Sequence, residues 1–141
     1  MIDLDAASPA DILARTIAGE ARGEGDEGMH AVACVVLNRA NRPSWWGRTV
    51  KEVCLKPYQF SCWNVGDPNR AIILNLDSGF SIFNESLGLA EKAIAGQLAD
   101  ITNGATHYYA KGTAVPKWAD GLTPCAQIGR HIFFNLSQED V

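Results

Sequence analysis

Apolar residues near the N-terminus recur at the spacing of an α-helix that ends on a carboxylate. Ser8 can cap this helix, and Pro9 suits its first position. The apolar stripe consists of Ala10, Leu13, Ala14, Ile17 and Ala21. Glu20 follows Ile17 by three residues, so its side chain leaves the helix on the same side as the stripe. A carboxyl group on a packing face is costly unless it is paired, neutralised or used, and desolvation favours its protonated form. We therefore interpret Glu20 as a candidate general acid; the alternative is a Glu at a frayed helix end that reaches water or an arginine.

A second apolar pattern predicts a helix that is buried on nearly all sides. Asp26 can cap it, and the Asn-Arg-Pro segment at 41–43 ends it. One face carries Met29, Val32, Ala33, Val36, Leu37 and Ala40, while Ala31, Cys34 and Val35 lie on the others. We expect this helix to be the central one of the fold.

The rest of the chain alternates short helical and extended patterns. Thr49 and Glu52 form a capping box that opens a third helix, which Pro57 ends. A fourth helix is predicted at about residues 82–97 and strands at 105–110 and 128–135, whereas residues 72–74 fit a helical turn or a short strand. The predicted fold class is therefore α+β, mostly α, in a single domain over residues 1–141 with a small C-terminal β element.

Composition narrows the classes of partner. With 141 residues, the chain is long enough to bury a core without metal or disulfide crosslinks. Its formal net charge is −4 and it contains no basic run, which argues against nucleic acid and against electrostatic capture by an anionic surface. Binding to a polymer would have to come from a shaped groove.

The N-terminus and the cysteines bear on the compartment. The acidic N-terminus lacks the pattern of a signal peptide, and the longest apolar run, 31–37, is too short to span a bilayer. We expect synthesis in the cytoplasm, no membrane insertion and free thiols, since the four cysteines show no CxxC spacing. A zinc site built from Cys54, Cys62, His107 or His131 would have unusual ligand spacing, so we expect no metal and no cofactor.

Two carboxylates suggest glycosidase chemistry. Glu20 and Glu24 lie four residues apart, which invites an acid paired with a nucleophile or base. Gly23 and Gly25 flank Glu24 and weaken helix continuation, so the relative placement of the carboxylates is open. The reading we favour for Glu24 is an acidic residue near the start of the second helix, where the helix dipole stabilises it.

Aromatic side chains outside the helix stripes indicate a carbohydrate groove. They are Phe60, Trp63, Tyr108, Tyr109 and Trp118, with polar side chains at Gln59, Ser61, Asn64 and Thr106. Sugar rings present apolar C–H faces beside many hydroxyls, so a glycan site needs aromatic platforms with amide and hydroxyl partners. Any single loop aromatic is more commonly packed in a satellite core, but a set of five makes a groove with at least two of them the better interpretation. A histidine in a predicted strand, such as His107 or His131, is more commonly structural than catalytic.

Six short motifs occur in a fixed order over nearly the whole chain. They are GEARGE at 19–24, AVACVVLNR at 31–39, QFSC at 59–62, GATHYY at 104–109, PKW at 116–118 and IGRHIF at 128–133. Each is weak alone, but the ordered set resembles the SleB-type cell wall hydrolases, which include spore cortex-lytic enzymes. The resemblance implies a lysozyme-like α+β fold, peptidoglycan glycan strands as partner, and lytic transglycosylase chemistry with Glu20 as the catalytic acid.

The groove argument supplies the candidate substrate-binding residues. They are Glu24, Gln59, Phe60, Ser61, Trp63, Tyr108, Tyr109 and Trp118. Three other functions stay open. They are muramidase-type hydrolysis of the same bond, with Glu24 or another acid activating water; a non-catalytic glycan-binding module; and a structural interaction protein that uses exposed aromatic residues as a partner surface. Typical members of the family carry a signal peptide or a wall-binding module, and we expect neither in this chain. A stand-alone catalytic domain suits a phage or prophage endolysin, which we expect to be monomeric and to reach the cell wall through a holin-type membrane lesion.

Overall fold

The computed structural model describes residues 1–136 and contains five α-helices and a three-stranded sheet within that range. The helices are α1 (Pro9–Ala21), α2 (Gly25–Asn41), α3 (Val50–Leu55), α4 (Pro68–Leu74) and α5 (Ser81–Ile94). The strands are β1 (His107–Ala110), β2 (Ala126–Ile128) and β3 (His131–Phe134), and 3-10 turns occupy Ser61–Trp63 and Lys117–Ala119. The prediction of a mostly helical α+β fold with a small C-terminal sheet is confirmed.

Helix α1, rather than α2, lies at the centre of the helical layer. It contacts all four other helices, and its residues 12–18 are buried without interruption. The prediction that α2 is central was wrong, because the apolar pattern leaves out two polar residues of α1, Arg15 and Thr16, which are buried and donate hydrogen bonds to backbone carbonyls. Helix α2 is buried as predicted, and it packs against strand β2 of the sheet.

Helix starts follow the predicted caps at two of three sites. The Ser8 hydroxyl accepts a hydrogen bond from the Asp11 amide at 3.1 Å, and the Thr49 hydroxyl accepts one from the Glu52 amide at 3.2 Å. The Asp26 cap was wrong, because the N-cap is Glu24 and α2 begins at Gly25, two residues earlier than an Asp26 cap implies; the φ of 77° at Gly25 lets the chain turn out of α1.

The remaining boundaries differ in detail from the sequence prediction. Residues 72–74 are helical, as the last turn of α4, and α5 spans 81–94 rather than 82–97.

The four cysteines are free thiols. No helix in the part of the chain that the structure describes is long and apolar enough to cross a membrane.

The C-terminal strand prediction missed a turn. Residues 128–135 form a hairpin with the residues before them, because Gly129 has a φ of 57° and reverses the chain between Ile128 and His131, which pair with each other. The sheet is antiparallel in the order β1-β3-β2. The tip of this hairpin carries Arg130 to the edge of the helical layer.

A buried arginine holds the helical layer together. The Arg15 guanidinium donates to the Asp11 carboxylate at 2.6 Å and to the carbonyls of Ile73 and Leu76 at 2.6 and 2.7 Å. It also lies 4.8 Å from the centre of the Phe83 ring. One side chain thus connects α1 to the end of α4 and to α5.

We expect Arg15→Met to lower the free energy of unfolding by about 2–4 kcal/mol, because two buried carbonyls and Asp11 lose their donor. Urea denaturation measures the change. Arg48→Met is the matched control: Arg48 is exposed, and its loss should cost no more than about 0.5 kcal/mol. Equal losses in the two variants would contradict the anchoring role.

Candidate active site

Glu20 lies at the end of α1 with both carboxylate oxygens hydrogen-bonded. The Tyr108 hydroxyl donates to Oε1 at 2.6 Å, and the Cys62 backbone amide donates to Oε2 at 3.3 Å. The loop before α4 approaches this closely because residue 19 is glycine: a Cβ there would lie 2.6 Å from the Cys62 Cβ. The alternative of a frayed helix end is excluded, since the half-buried Glu20 is held by strand β1 and by this loop.

The Tyr108 side chain is built to remain a hydrogen-bond donor. Burial and the neighbouring Glu20 carboxylate raise the pKa of the Tyr108 hydroxyl well above its usual value. Its ring packs on His131 and Phe133, with centroid distances of 4.7 and 5.6 Å. Tyr108 therefore presents a fixed, protonated hydroxyl to Glu20.

A cleft of about 370 Å³ opens beside Glu20; we call it the charged cleft. Its lining residues are Glu20, Gly23, Glu24, Ala110, Lys111, Thr113, Arg130 and His131. Helix α1 and the loop after it form one wall, and β1 and the β2–β3 hairpin form the other. Both carboxylates considered from the sequence therefore lie in the same cleft.

Glu24 occupies the N-cap position of α2 but makes no side-chain capping bond. Its carboxylate instead accepts a hydrogen bond from Arg130 Nε at 3.2 Å and lies 3.8 Å from His131 Nε2. Burial lowers the pKa of His131, although Glu24 and Glu20 oppose this shift, so the imidazole is neutral near pH 7. Glu24 thus lies at the start of α2, as the favoured interpretation expected, while its ion pair is with Arg130 and its side chain lines the charged cleft.

A second cavity, of about 420 Å³, lies on the other side of Tyr108; we call it the aromatic cavity. It is lined by Arg39, Trp45, Tyr58, Gln59, His107, Tyr108 and Trp118. The Tyr108 side chain lines this cavity while its hydroxyl reaches Glu20 in the charged cleft. The candidate acid therefore lies where an aromatic and a charged binding region meet.

Comparison with known proteins identifies the family. A sequence profile described as Cell Wall Hydrolase matches residues 23–134. The chain belongs to the cell wall hydrolase family. Curated relatives include two spore cortex-lytic enzymes: that of Halalkalibacterium halodurans is 32% identical over 88% of this chain, and that of Bacillus subtilis is 31% identical over 86%. The match covers 34% and 36% of these relatives, so the chain spans about a third of their length.

The fold of this cell wall hydrolase is similar to that of solved SleB catalytic domains. The catalytic domain of Bacillus cereus SleB superposes with a TM-score of 0.68 at 29% identity, covering 92% of each chain. The catalytic domain of a germination-specific lytic transglycosylase, SleB from Bacillus anthracis, superposes with a TM-score of 0.69 at 30% identity, covering 92% of this chain and 97% of the other. The SleB-type resemblance and the fold it implied are confirmed.

Three of the predicted substrate-binding residues meet in the aromatic cavity of this SleB-type chain: Gln59, Tyr108 and Trp118. The prediction for Phe60 was wrong, because its side chain is 2% exposed and packs in the helical core under the Arg39 guanidinium. Tyr109 is not among the residues that line this cavity, and its contact with glycan stays a prediction. Neighbouring residues of a strand face opposite sides, so Tyr109 packs on Phe134 and on the edge of Trp118, away from Tyr108.

The other two predicted residues lie beside a third cavity or on the surface. Trp63 is half-buried, donates through its indole to the Thr16 hydroxyl at 2.9 Å, and lines a cavity of about 290 Å³ that it shares with Tyr58. Ser61 is exposed at the start of its 3-10 turn. Glycan contact by these two residues stays a prediction.

Sequence reasoning missed two aromatic residues of the site. Tyr58 is 85% exposed and adopts a φ of 65°, and Trp45 is 44% exposed at the rim of the aromatic cavity. Trp45 is followed by Trp46, which is 1% exposed and donates to the Arg39 carbonyl at 2.9 Å. The spacing of two adjacent tryptophans does not indicate which of them is buried, so the exposure of Trp45 could not be predicted from the sequence.

Arg39 organises the aromatic cavity from below. Its guanidinium donates to the Thr106 carbonyl at 2.6 Å and to the Gln59 side-chain oxygen at 3.2 Å, joining α2 to the residue before β1 and to the QFSC loop. Burial lowers the pKa of Arg39 to about 10, so it stays charged at neutral pH. Burial and the charge of Arg39 lower the pKa of His107 to about 4.

Within residues 1–136, no group of three or more His, Cys, Asp or Glu side chains is arranged to hold a metal ion.

The neutral His107 makes the fold sensitive to acid. The folded chain holds the imidazole uncharged down to a pKa of about 4, whereas the unfolded chain takes up the proton near the ordinary value of 6.5. The contribution of the neutral His107 to the free energy of unfolding is therefore fully present above pH 6.5 and is lost as the pH falls from 6.5 towards 4.

We expect His107 to account for about 3 kcal/mol of the loss in unfolding free energy at pH 4. His107→Gln, which cannot titrate, should lose correspondingly less between neutral pH and pH 4 when unfolding free energies are measured in urea. Identical losses in both proteins would exclude His107 as the source.

Proposed function

We propose that this chain cleaves peptidoglycan glycan strands between N-acetylmuramic acid and N-acetylglucosamine by a lytic transglycosylase mechanism, with Glu20 as the acid. The observation that carries the proposal is the hydrogen-bonded Glu20–Tyr108 pair at the junction of the aromatic cavity and the charged cleft. Family membership and the similarity to a SleB lytic transglycosylase support it.

The first step needs a proton donor beside the glycosidic oxygen. Protonated Glu20 gives its proton to the oxygen that links the two sugars, the bond from the anomeric carbon breaks, and an oxocarbenium-like state forms on the muramic acid ring. The Tyr108 hydroxyl and the Cys62 amide hold the Glu20 carboxyl in one orientation, which limits the reorganisation needed during proton transfer.

The second step uses a nucleophile that the substrate carries. Glu20, now a carboxylate, takes the proton from the C6 hydroxyl of the same sugar, and the C6 oxygen bonds to the anomeric carbon to close a 1,6-anhydro ring. The proton given in the first step is thereby recovered. No water enters and no second carboxylate is required for proton balance.

The aromatic cavity provides a surface that suits sugar rings. Trp45, Tyr58 and Trp118 present aromatic faces that can cover the apolar faces of pyranose rings, and the Gln59 amide beside them can bind hydroxyl or acetamido groups. The glycan strand would then run past Tyr108, so that one sugar occupies the aromatic cavity and the scissile bond lies at Glu20. The endolysin role, cytoplasmic synthesis and the monomeric state stay predictions.

One observation favours a second candidate, muramidase-type hydrolysis. Glu24 lies in the same cleft as Glu20 and could activate water. The products separate the two reactions, because internal attack leaves 1,6-anhydro ends and water attack leaves reducing ends. Mass spectra of the released fragments from wild-type protein give the answer, and reducing ends alone would overturn the transglycosylase proposal.

We expect Glu20→Gln to lower the rate of peptidoglycan cleavage by on the order of a hundred- to ten-thousandfold, because the amide cannot donate the proton. Clearing of a suspension of purified peptidoglycan measures the rate. The variant should melt close to wild type and still sediment with the walls. Retention of wild-type clearing by the variant would remove Glu20 from the mechanism, and sedimentation without clearing by wild type would indicate a binding module.

We expect Tyr108→Phe to lower kcat by roughly tenfold or more with little change in KM, because Glu20 loses a donor while the ring keeps its packing on His131 and Phe133. Tyr109→Phe is the matched control, since that ring packs on Phe134, away from Glu20. Its kcat should stay near wild type. Equal kcat values for the two variants would show that the Tyr108 hydroxyl does not act on the acid.

A further inference from the structure

The Glu24 side chain points into the charged cleft instead of capping α2, the helix that it precedes. As the N-cap residue of α2 it could bond to the first turn, yet its side chain makes no capping bond. It extends instead to Arg130, 106 residues away along the chain. Gly28 leaves the space it needs, because a Cβ at that position would lie 2.4 Å from the Glu24 Cβ. The local backbone and the distant hairpin together orient this carboxylate.

The surroundings leave a negative charge inside the cleft. The Glu24 side chain is 11% exposed, whereas that of its partner Arg130 is 76% exposed and therefore largely hydrated. Lys111, the other cation of the cleft, is exposed as well. Water screens charges at the rim more strongly than a charge on the floor of a cleft. The imidazole of His131, which both Glu20 and Glu24 approach, is neutral at neutral pH and cancels neither carboxylate.

We propose that Glu24 stabilises the positive charge that develops on the sugar ring when the glycosidic bond breaks. This inference rests on the proposed function, in which Glu20 donates the proton in the same cleft. A negative charge that is fixed in advance lowers the energy of an oxocarbenium-like state more than that of the neutral substrate. Arg130 fixes the carboxylate and offsets its repulsion with Glu20. Glu24 forms no covalent bond and transfers no proton, so the atom balance of the reaction is unchanged.

A purely structural role makes a different prediction. If Glu24 only attached the β2–β3 hairpin to the helical layer, removing either partner of the Glu24–Arg130 ion pair would have the same effect. If Glu24 acts through its charge, Glu24→Gln removes the acting group, whereas Arg130→Gln leaves it in the cleft. The two single variants and the double variant form a thermodynamic cycle that separates these cases.

The experiment measures kcat and KM on soluble peptidoglycan fragments for wild type, E24Q, R130Q and E24Q/R130Q. We expect E24Q to lower kcat by on the order of ten- to a hundredfold with KM within about twofold, and its products to keep 1,6-anhydro ends. R130Q keeps the carboxylate in the cleft but removes the donor that orients it, so its kcat should fall by only about threefold to tenfold, less than that of E24Q. The double variant, which lacks the carboxylate but leaves no unpaired arginine, should lose as much as E24Q and replaces it if E24Q alone fails to fold.

Equal losses of kcat in E24Q and R130Q, or wild-type kcat in E24Q or in the double variant, would overturn the inference. These outcomes are distinct from failure of the proposed function. That failure would appear in wild type as absence of cleavage or as reducing ends alone, and in E20Q as retained turnover. Wild-type protein that forms anhydro ends, with E20Q inactive and E24Q fully active, would overturn the role of Glu24 alone.

Discussion

A hydrogen bond between a tyrosine and a carboxyl group joins the helical layer of this protein to its sheet at the candidate active site. Tyr108 on β1 and Glu20 on α1 are 88 residues apart in sequence and 2.6 Å apart in space. The bond orients the candidate acid, brings the wall of the aromatic cavity to the edge of the charged cleft, and requires the sheet to lie against the end of α1. The burial that keeps the Tyr108 hydroxyl protonated also makes it costly to leave that hydroxyl unpaired.

On the other side of Tyr108, the buried guanidinium of Arg39 joins α2 to the segment that leads into β1 and to the loop that carries Gln59. Arg39 is 5% exposed, and its donors go to the β1 segment and to Gln59, while its guanidinium lies 5.5 Å from the ring centres of Trp46 and Phe60. Polar groups in the interior thus determine where the aromatic walls lie. Arg15 does the same for the helical layer, which is why the most central helix of the fold carries an arginine that an apolar pattern leaves out.

Within residues 1–136, local physical rules predicted four of the five α-helices, left α4 open between a helical turn and a strand, and found only part of the site. Ser8 and Thr49 marked helix starts because capping depends on residues close in sequence, and Glu20 was found because it breaks an apolar stripe. The hairpin was missed because Gly129 interrupts a run of residues that otherwise fits one strand. The partners of Glu24 and the exposure of Trp45 depend on contacts between distant segments, which no spacing rule encodes. Phe60 shows the converse: an aromatic in a loop motif proved to be core, because burial is a property of the whole fold.

The sheet that supplies Tyr108 is small, and this has a consequence for heat resistance. Its strands contain only three or four residues each, while the helical layer holds the largest buried cluster within residues 1–136. Regions with few buried apolar contacts open at lower free energy than the rest of a structure. On warming, detachment of the strands should therefore separate the hydroxyl from the carboxyl before the helices melt, so the temperature at which catalysis fails lies below the midpoint of the helical circular dichroism signal.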